Sequence, residues 1–178
     1  KIEDIRPVRQ YSSYFCQSST KYEALKRGEI ASSFMPGTAG ALRDVGIYTL
    51  YPLVTLFGRP SEVSGKLTRF QTDKGESDVC GTAHLRYDGM DATLTWSKTY
   101  DSFQHTEIAG ENGNIIIDEV HIARKTEIVP HAAPSSGQGP KPGRTLLSQG
   151  LTHNEYYYEF KEFADLLENG KTESSVNS

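Results

Sequence analysis

Cysteine is scarce in this chain, and the two present, Cys16 and Cys80, could pair only once and show no metal-ligand spacing. That excludes a disulfide scaffold and fits a reducing cytoplasm. The five histidines, His84, His105, His121, His131 and His153, never fall at the short spacings of metal sites, and there is no His-Glu-x-x-His, so no metal is expected. No run approaches the roughly 18 to 20 apolar residues of a membrane span, and no charged-then-apolar leader opens the chain. Basic residues are not in excess: 19 Lys and Arg against 23 Asp and Glu give a net charge of −4, which offers nucleic acid or anionic membrane no electrostatic attraction. Neither Gly-x-Ser-x-Gly nor a Gly-Lys-Ser/Thr phosphate loop occurs, which removes the common hydrolase elbow and the P-loop. Gly137-x-Gly139 is no dinucleotide fingerprint, because Pro140 and Pro142 prevent the helix start and no buried parallel strand precedes it.

What is present reads as one domain over residues 1–178, long enough to bury a core. The chain opens at Lys1 and enters strand-like sequence almost at once, so a segment upstream is expected. Asp4 to Phe15 reads as extended, with Pro7 marking an edge or a strand start. Thr20-x-x-Glu23 is a capping box and Gly28 a stop, which predicts a short helix over Lys21 to Arg27. A second helix runs from about Ala41 to Phe57 on the stripe Leu42, Val45, Leu53, Leu56, with Pro52 as a bend. From Glu62 to Val129 the period drops to two, with Asp88-Gly89 as a tight hairpin turn, a second hairpin around Glu111-Asn112-Gly113, and a further strand within Val120 to Val129. Pro130 to Arg144, rich in Pro, Gly and Ser, reads as a mobile surface loop. The last helix carries Tyr156, Phe160, Phe163 and Leu167 at helical spacing behind the capping box Thr152-x-x-Glu155, with Gly170 as its stop, and this stripe is expected to cover the sheet. The fold class is α+β: a largely antiparallel, open-faced sheet with helices on one face.

Within the second helix, Gly40-Ala41-Leu42-Arg43-Asp44-Val45-Gly46-Ile47-Tyr48 sets a carboxylate and a phenol four residues apart, so both project from one helix face. Such a pair suits acid/base work. The same residues also fit a plainer account, with Asp44 answering the helix dipole and Tyr48 packing. Tyr11, Tyr14 and Trp96 fall near expected strand ends, where they could meet a ligand or serve core and interface packing.

This segment, followed by Leu56-Phe57-Gly58-Arg59-Pro60 and Ser61-Glu62-Val63, resembles the C-terminal domain of the glucose-fructose oxidoreductase, inositol dehydrogenase and rhizopine-catabolism (Gfo/Idh/MocA) family. Ile108-Ala109-Gly110-Glu111-Asn112-Gly113 is similar to that family's hairpin, and Asn154-Glu155-Tyr156-Tyr157-Tyr158-Glu159-Phe160 with Phe163 to its closing helix, so the resemblance runs along nearly the whole chain. Tyrosine at position 48, where inositol dehydrogenases carry histidine, looks closest to the dihydrodiol and sugar dehydrogenase branch.

The resemblance implies a substrate-binding and oligomerisation domain whose N-terminal Rossmann domain is absent from this chain. It implies hydride transfer between NAD or NADP, bound mainly by that upstream domain, and a sugar, polyol or dihydrodiol-like alcohol or carbonyl. Tyr48 then takes the proton-transfer role and Asp44 the supporting one, with Tyr14, Arg43 and Trp96 as candidate substrate contacts and no cofactor-binding residue in this chain. A free phenol titrates near about 10, so Tyr48 needs a nearby cation to work near neutral pH, a part the family gives to an upstream lysine. Ala39 stands where the family often has glycine, and Arg43 places a cation next to Asp44 in sequence. The resemblance further implies a homodimer or homotetramer formed through a flat apolar sheet face; composition adds the expectation of a cytoplasmic protein with no nucleic-acid or membrane partner, and the isolated fragment is expected to be inactive. Two alternatives stay open: an oligomerisation module without redox activity, and an NAD-dependent glycosidase-type relative.

Overall fold

Period-two alternation produces, among the described residues, eight strands in one sheet: β1 (Val8–Cys16), β2 (Glu62–Thr72), β3 (Gly75–Tyr87), β4 (Met90–Ser97), β5 (Thr106–Gly110), β6 (Gly113–Asp118), β7 (Lys125–Pro130) and β8 (Thr145–Gln149). The computed structural model describes residues 1–131, 143–150, 153–154 and 156–174. The strand order is β2-β3-β4-β1-β5-β6-β7-β8, and every neighbouring pair is antiparallel except β1 with β4. Parallel neighbours need a long crossover. Here the crossover holds α1 (Thr20–Lys26), a single π-helical stretch (Leu42–Gly46), α2 (Ile47–Phe57), and then β2 and β3.

One face of the sheet carries the core. Tyr11, Leu85, Leu94, Trp96, Ile108 and Ile115 point to it, and Ala41, Val45 and Leu53 come down from the π stretch and α2. Each fully buried aliphatic side chain of this kind contributes about 1.5–3 kcal/mol. A smaller cluster of Leu25, Phe34 and Val79 seats α1 on the same face. The α+β open sheet read from the sequence is therefore the fold, with one parallel pair at its centre.

Several local expectations need correction. Pro7 precedes a central strand, so it marks a start and not an edge. The α1 cap is Ser19, whose side chain accepts from the Lys21 amide, one residue earlier than the capping box suggested. Pro52 does sit inside α2, but the irregularity lies upstream in the π stretch. β8 forms where no strand was expected, pairing Thr145 to Gln149 with β7.

The closing helix α3 (Tyr157–Glu168) differs most: none of its residues is buried, and Tyr156, Phe160, Phe163 and Leu167 are all exposed, Phe160 at 70%. Its stripe does not cover the sheet. Thr152 and Glu155 of the expected capping box, and 132–142 of the expected loop, lie outside the described residues.

The opposite sheet face carries rows of paired polar side chains. Across β1, β3 and β4 it carries Ser12, Thr82, His84, Thr93 and Thr95, and Thr82 pairs with Thr95 (3.4 Å) and His84 with Thr93 (3.3 Å) through their side chains.

Candidate active site

The π stretch is built by close approach. Its first amide, Leu42 N–H, donates to the Asp78 carboxylate at 2.7 Å, which satisfies a helix-start donor that Ala41 cannot cap. A Cβ on Gly40 would lie 1.8 Å from that carboxylate. Downstream, a Cβ on Gly46 would lie 3.1 Å from the Trp96 indole, and one on Gly81, its partner in β3, only 2.6 Å from it. Trp96 thus packs against two glycines and is 3% exposed; it forms the floor beneath the π stretch and offers no surface to a ligand. A π stretch also turns less per residue than an α-helix, so the steps from Asp44 to Tyr48 sum closer to one full revolution.

Asp44 accepts an ion-paired hydrogen bond from Lys98, whose side chain is 5% exposed and whose ammonium lies 4.8 Å from the centre of the Phe34 ring. Sequence reading passed over Lys98, yet the signal was available. Met90, Ala92, Leu94 and Trp96 face inward, and counting on by two brings position 98 to the same face. The register Cys16↔Ser97 sets Lys98 beside the end of β1.

Tyr48 stands at that same end. It is 44% exposed and packs edge-on to Phe15, the last helix-facing side chain of β1, at 5.4 Å and 86°. The His121 ring stacks on the other ring at this corner, Phe15, at 4.3 Å and 12°, and lies 6.1 Å from Tyr48. Asp44 with Lys98, and Tyr48 with Phe15 and His121, therefore crown the carboxyl ends of the parallel pair β1/β4. Pro52 lacks an amide hydrogen, so the Tyr48 carbonyl has no α-helical donor four residues on.

The other candidates lie elsewhere. Arg43 is exposed and donates to the Thr38 carbonyl at 2.6 Å, fastening the preceding loop. Tyr14 alternates with Ser13 and Phe15 and so faces the open side of the sheet, away from Tyr48. Tyr11 is fully buried and donates to the Thr49 carbonyl of α2 at 3.3 Å; burial pushes its phenol up to about 12, outside acid/base use near neutrality. Among the described residues, no group of three or more His, Cys, Asp and Glu could hold a metal ion.

Two clefts among the described residues lie apart from this corner: one of about 670 Å3 near His84 and Arg86, and one of about 480 Å3 near Phe57 and Arg59.

Comparison with known proteins gives these geometries a setting. The family model for the GFO/IDH/MocA C-terminal domain matches residues 8–116. The chain is 34% identical over 181 residues to the scyllo-inositol 2-dehydrogenase (NADP(+)) IolU of Bacillus subtilis (strain 168), covering 99% of this chain and 51% of that protein. It is 29% identical over 168 residues to the uncharacterized oxidoreductase YgjR of Escherichia coli (strain K12), covering 94% of this chain and 48% of that one. Among solved structures, levoglucosan dehydrogenase in complex with NADH and levoglucosan superposes with a TM-score of 0.70 at 14% identity, over 96% of this chain and 52% of that one, a likeness of fold. The chain spans about half the length of the curated relatives it matches.

Proposed function

The chain belongs to the Gfo/Idh/MocA oxidoreductase family through its C-terminal domain, and from that premise we propose that it forms the substrate wall of an NAD(P)-dependent dehydrogenase acting on a sugar, polyol or diol. One observation carries the reading: an exposed phenol and a lysine-anchored carboxylate crown the carboxyl ends of the same parallel strand pair.

The donor set suits a carbinol. The described residues include no glycine-rich strand-to-helix turn for a pyrophosphate, so holding the dinucleotide falls to an upstream domain. A nicotinamide cofactor, bound mainly outside the described residues, would supply the hydride acceptor for the carbinol carbon. Tyr48 takes the hydroxyl proton as the C–O bond becomes a carbonyl, and returns it in the reverse direction. Asp44 orients the substrate hydroxyl or the Tyr48 phenol, and Lys98 keeps the carboxylate in one place. The domain over residues 1–178 serves substrate binding and assembly, and among the described residues no helix is long and apolar enough to cross a membrane.

The test uses the full-length protein with its upstream region. Scyllo-inositol, levoglucosan and a panel of aldoses and trans-dihydrodiols are offered with NAD+ and with NADP+. At least one pair turns over, and Tyr48→Phe loses about 10²-fold or more in kcat with folding intact. Wild-type turnover in that variant overturns the assignment. Release of a free sugar from a glycoside without net cofactor reduction would move the reading to the glycosidase-type alternative.

A further inference from the structure

We propose that the cleft between the start of β1 and the end of α2 is a second binding site, for a small apolar carboxylate: Arg59 and Arg6 take the carboxylate, and Phe57, Tyr87 and Met90 receive the apolar body. This goes beyond the dehydrogenase reading and does not rest on it.

The cleft has a volume of about 480 Å3, within the size range of small-molecule sites. Val8 lines it, whereas Phe15, the neighbour of Tyr48, lies towards the other end of the same strand, roughly 20 Å away at the rise of a β-strand. A ligand here therefore sits apart from the candidate active site.

Three guanidiniums, of Arg6, Arg9 and Arg59, line the cleft against one carboxylate, that of Asp88, so the lining is positive. The three are not equivalent. Arg9 is committed: it donates to the Glu111 carboxylate at 2.7 and 2.5 Å and to the Gly89 carbonyl at 3.1 Å, tying the start of β1 to two hairpin turns. Arg6 makes an exposed pair with Glu3 at 3.2 Å, a contact of small energy that a ligand can displace. Arg59 is exposed and has no hydrogen bond or ion pair among the described residues.

The backbone carrying Arg59 is nonetheless fixed on both flanks. Gly58 ends α2 at φ 75°, a value that favours glycine; its amide donates to the Val54 carbonyl at 2.8 Å and its carbonyl accepts from the Tyr87 hydroxyl at 3.1 Å. Beyond Pro60, the Ser61 amide and hydroxyl both donate to the Arg86 carbonyl, at 2.8 and 3.0 Å. A guanidinium on such a backbone loses less freedom when it takes a partner.

The chemistry then selects a class. The guanidinium fork matches the two oxygens of a planar carboxylate. Beside the arginines the Phe57 and Tyr87 rings stand 6.4 Å apart at 63°, and Met90 adds a soft apolar surface. Asp88 repels a second negative charge on the ligand, which sets a monoanion above a phosphate dianion.

The experiment is calorimetric titration of the full-length protein at low salt with phenylacetate, its neutral analogue phenylacetamide, and inorganic phosphate. Wild type binds phenylacetate with a Kd of about 1 mM or tighter, and the other two at least about tenfold more weakly. Arg59→Gln and Arg6→Gln each weaken phenylacetate about threefold or more, with melting temperatures within about 3 °C of wild type. Tyr48→Phe leaves its Kd within about twofold of wild type.

No binding of phenylacetate by wild type at about 10 mM overturns the inference, as does phenylacetamide or phosphate binding as tightly as phenylacetate. Wild-type affinity in a folded Arg59→Gln or Arg6→Gln protein overturns it too, and should one variant fail to fold the other decides. Loss of phenylacetate binding in Tyr48→Phe would move the ligand to the candidate active site and remove the second site.

Discussion

Lys98 and Asp44 form an unequal pair: the ammonium is buried at the end of β4 while the carboxylate, at 38% exposure, still meets solvent. The inequality decides which partner is harder to remove. Asp44→Ala strands a buried cation, at a cost of about 3–5 kcal/mol, whereas Lys98→Met leaves a carboxylate that water can serve, at about 1–2 kcal/mol. Urea midpoints of the two variants check the order, and equal or reversed losses would contradict it.

The same pair predicts an activity signature. In the full-length protein Lys98→Met lowers kcat about tenfold or more, with KM changed less, because the carboxylate loses its anchor while the aromatic side chains beside it stay. Steady-state kinetics on the best substrate of the panel measures the split.

Gly40→Ala places a methyl where the Asp78 carboxylate sits, 1.8 Å away. The carboxylate must then release the Leu42 amide, which costs about 1–3 kcal/mol and loosens the start of the π stretch. Thermal unfolding reads the loss, and hydrogen exchange at the Leu42 amide locates it.

The buried Tyr11 phenol has its pKa raised from 10.0 to about 12, mainly by desolvation. The folded state therefore holds this proton more tightly than the unfolded state does. Its contribution to stability is complete below pH 10 and is lost as pH rises from 10 towards 12. Tyr11→Phe, which also loses the hydrogen bond to Thr49, is less stable near neutrality by about 1 kcal/mol and falls less steeply above pH 10. Denaturant melts from pH 8 to 11 follow both slopes.

Phe160→Ser and Phe163→Ser on the exposed stripe of α3 change the stability of this chain by no more than about 0.5 kcal/mol. A loss beyond about 2 kcal/mol in guanidinium melts would mean that the stripe is buried after all.

Much of this protein follows from periodicity alone. Alternation along Val79 to Tyr87 and Met90 to Trp96, with Asp88-Gly89 between them, specifies a hairpin and its inward face, because a strand repeats every two residues whatever its neighbours. The pair Asp44 and Tyr48 was visible as spacing, since four helical residues return to one side. The resemblance carried by residues 40–63 pointed to the family whose model matches residues 8–116.

Periodicity could not say what would meet those elements. Trp96 at a strand end could face a ligand or a floor, and two glycines from different elements, Gly46 and Gly81, decided for the floor. The stripe on α3 reads as core in any helical projection, yet no partner within the described residues covers it.

The sequence by itself determined the sheet, the hairpins and the segment bearing the acid and the phenol, since these depend on local repeats and turn chemistry. Only the tertiary structure decided that Lys98 lies beneath Asp44 and that His121 stands beside Tyr48. Those neighbours come from strand ends brought together by sheet order and register, and adjacency of that kind is a property of the assembled sheet, carried by no local stretch of chain.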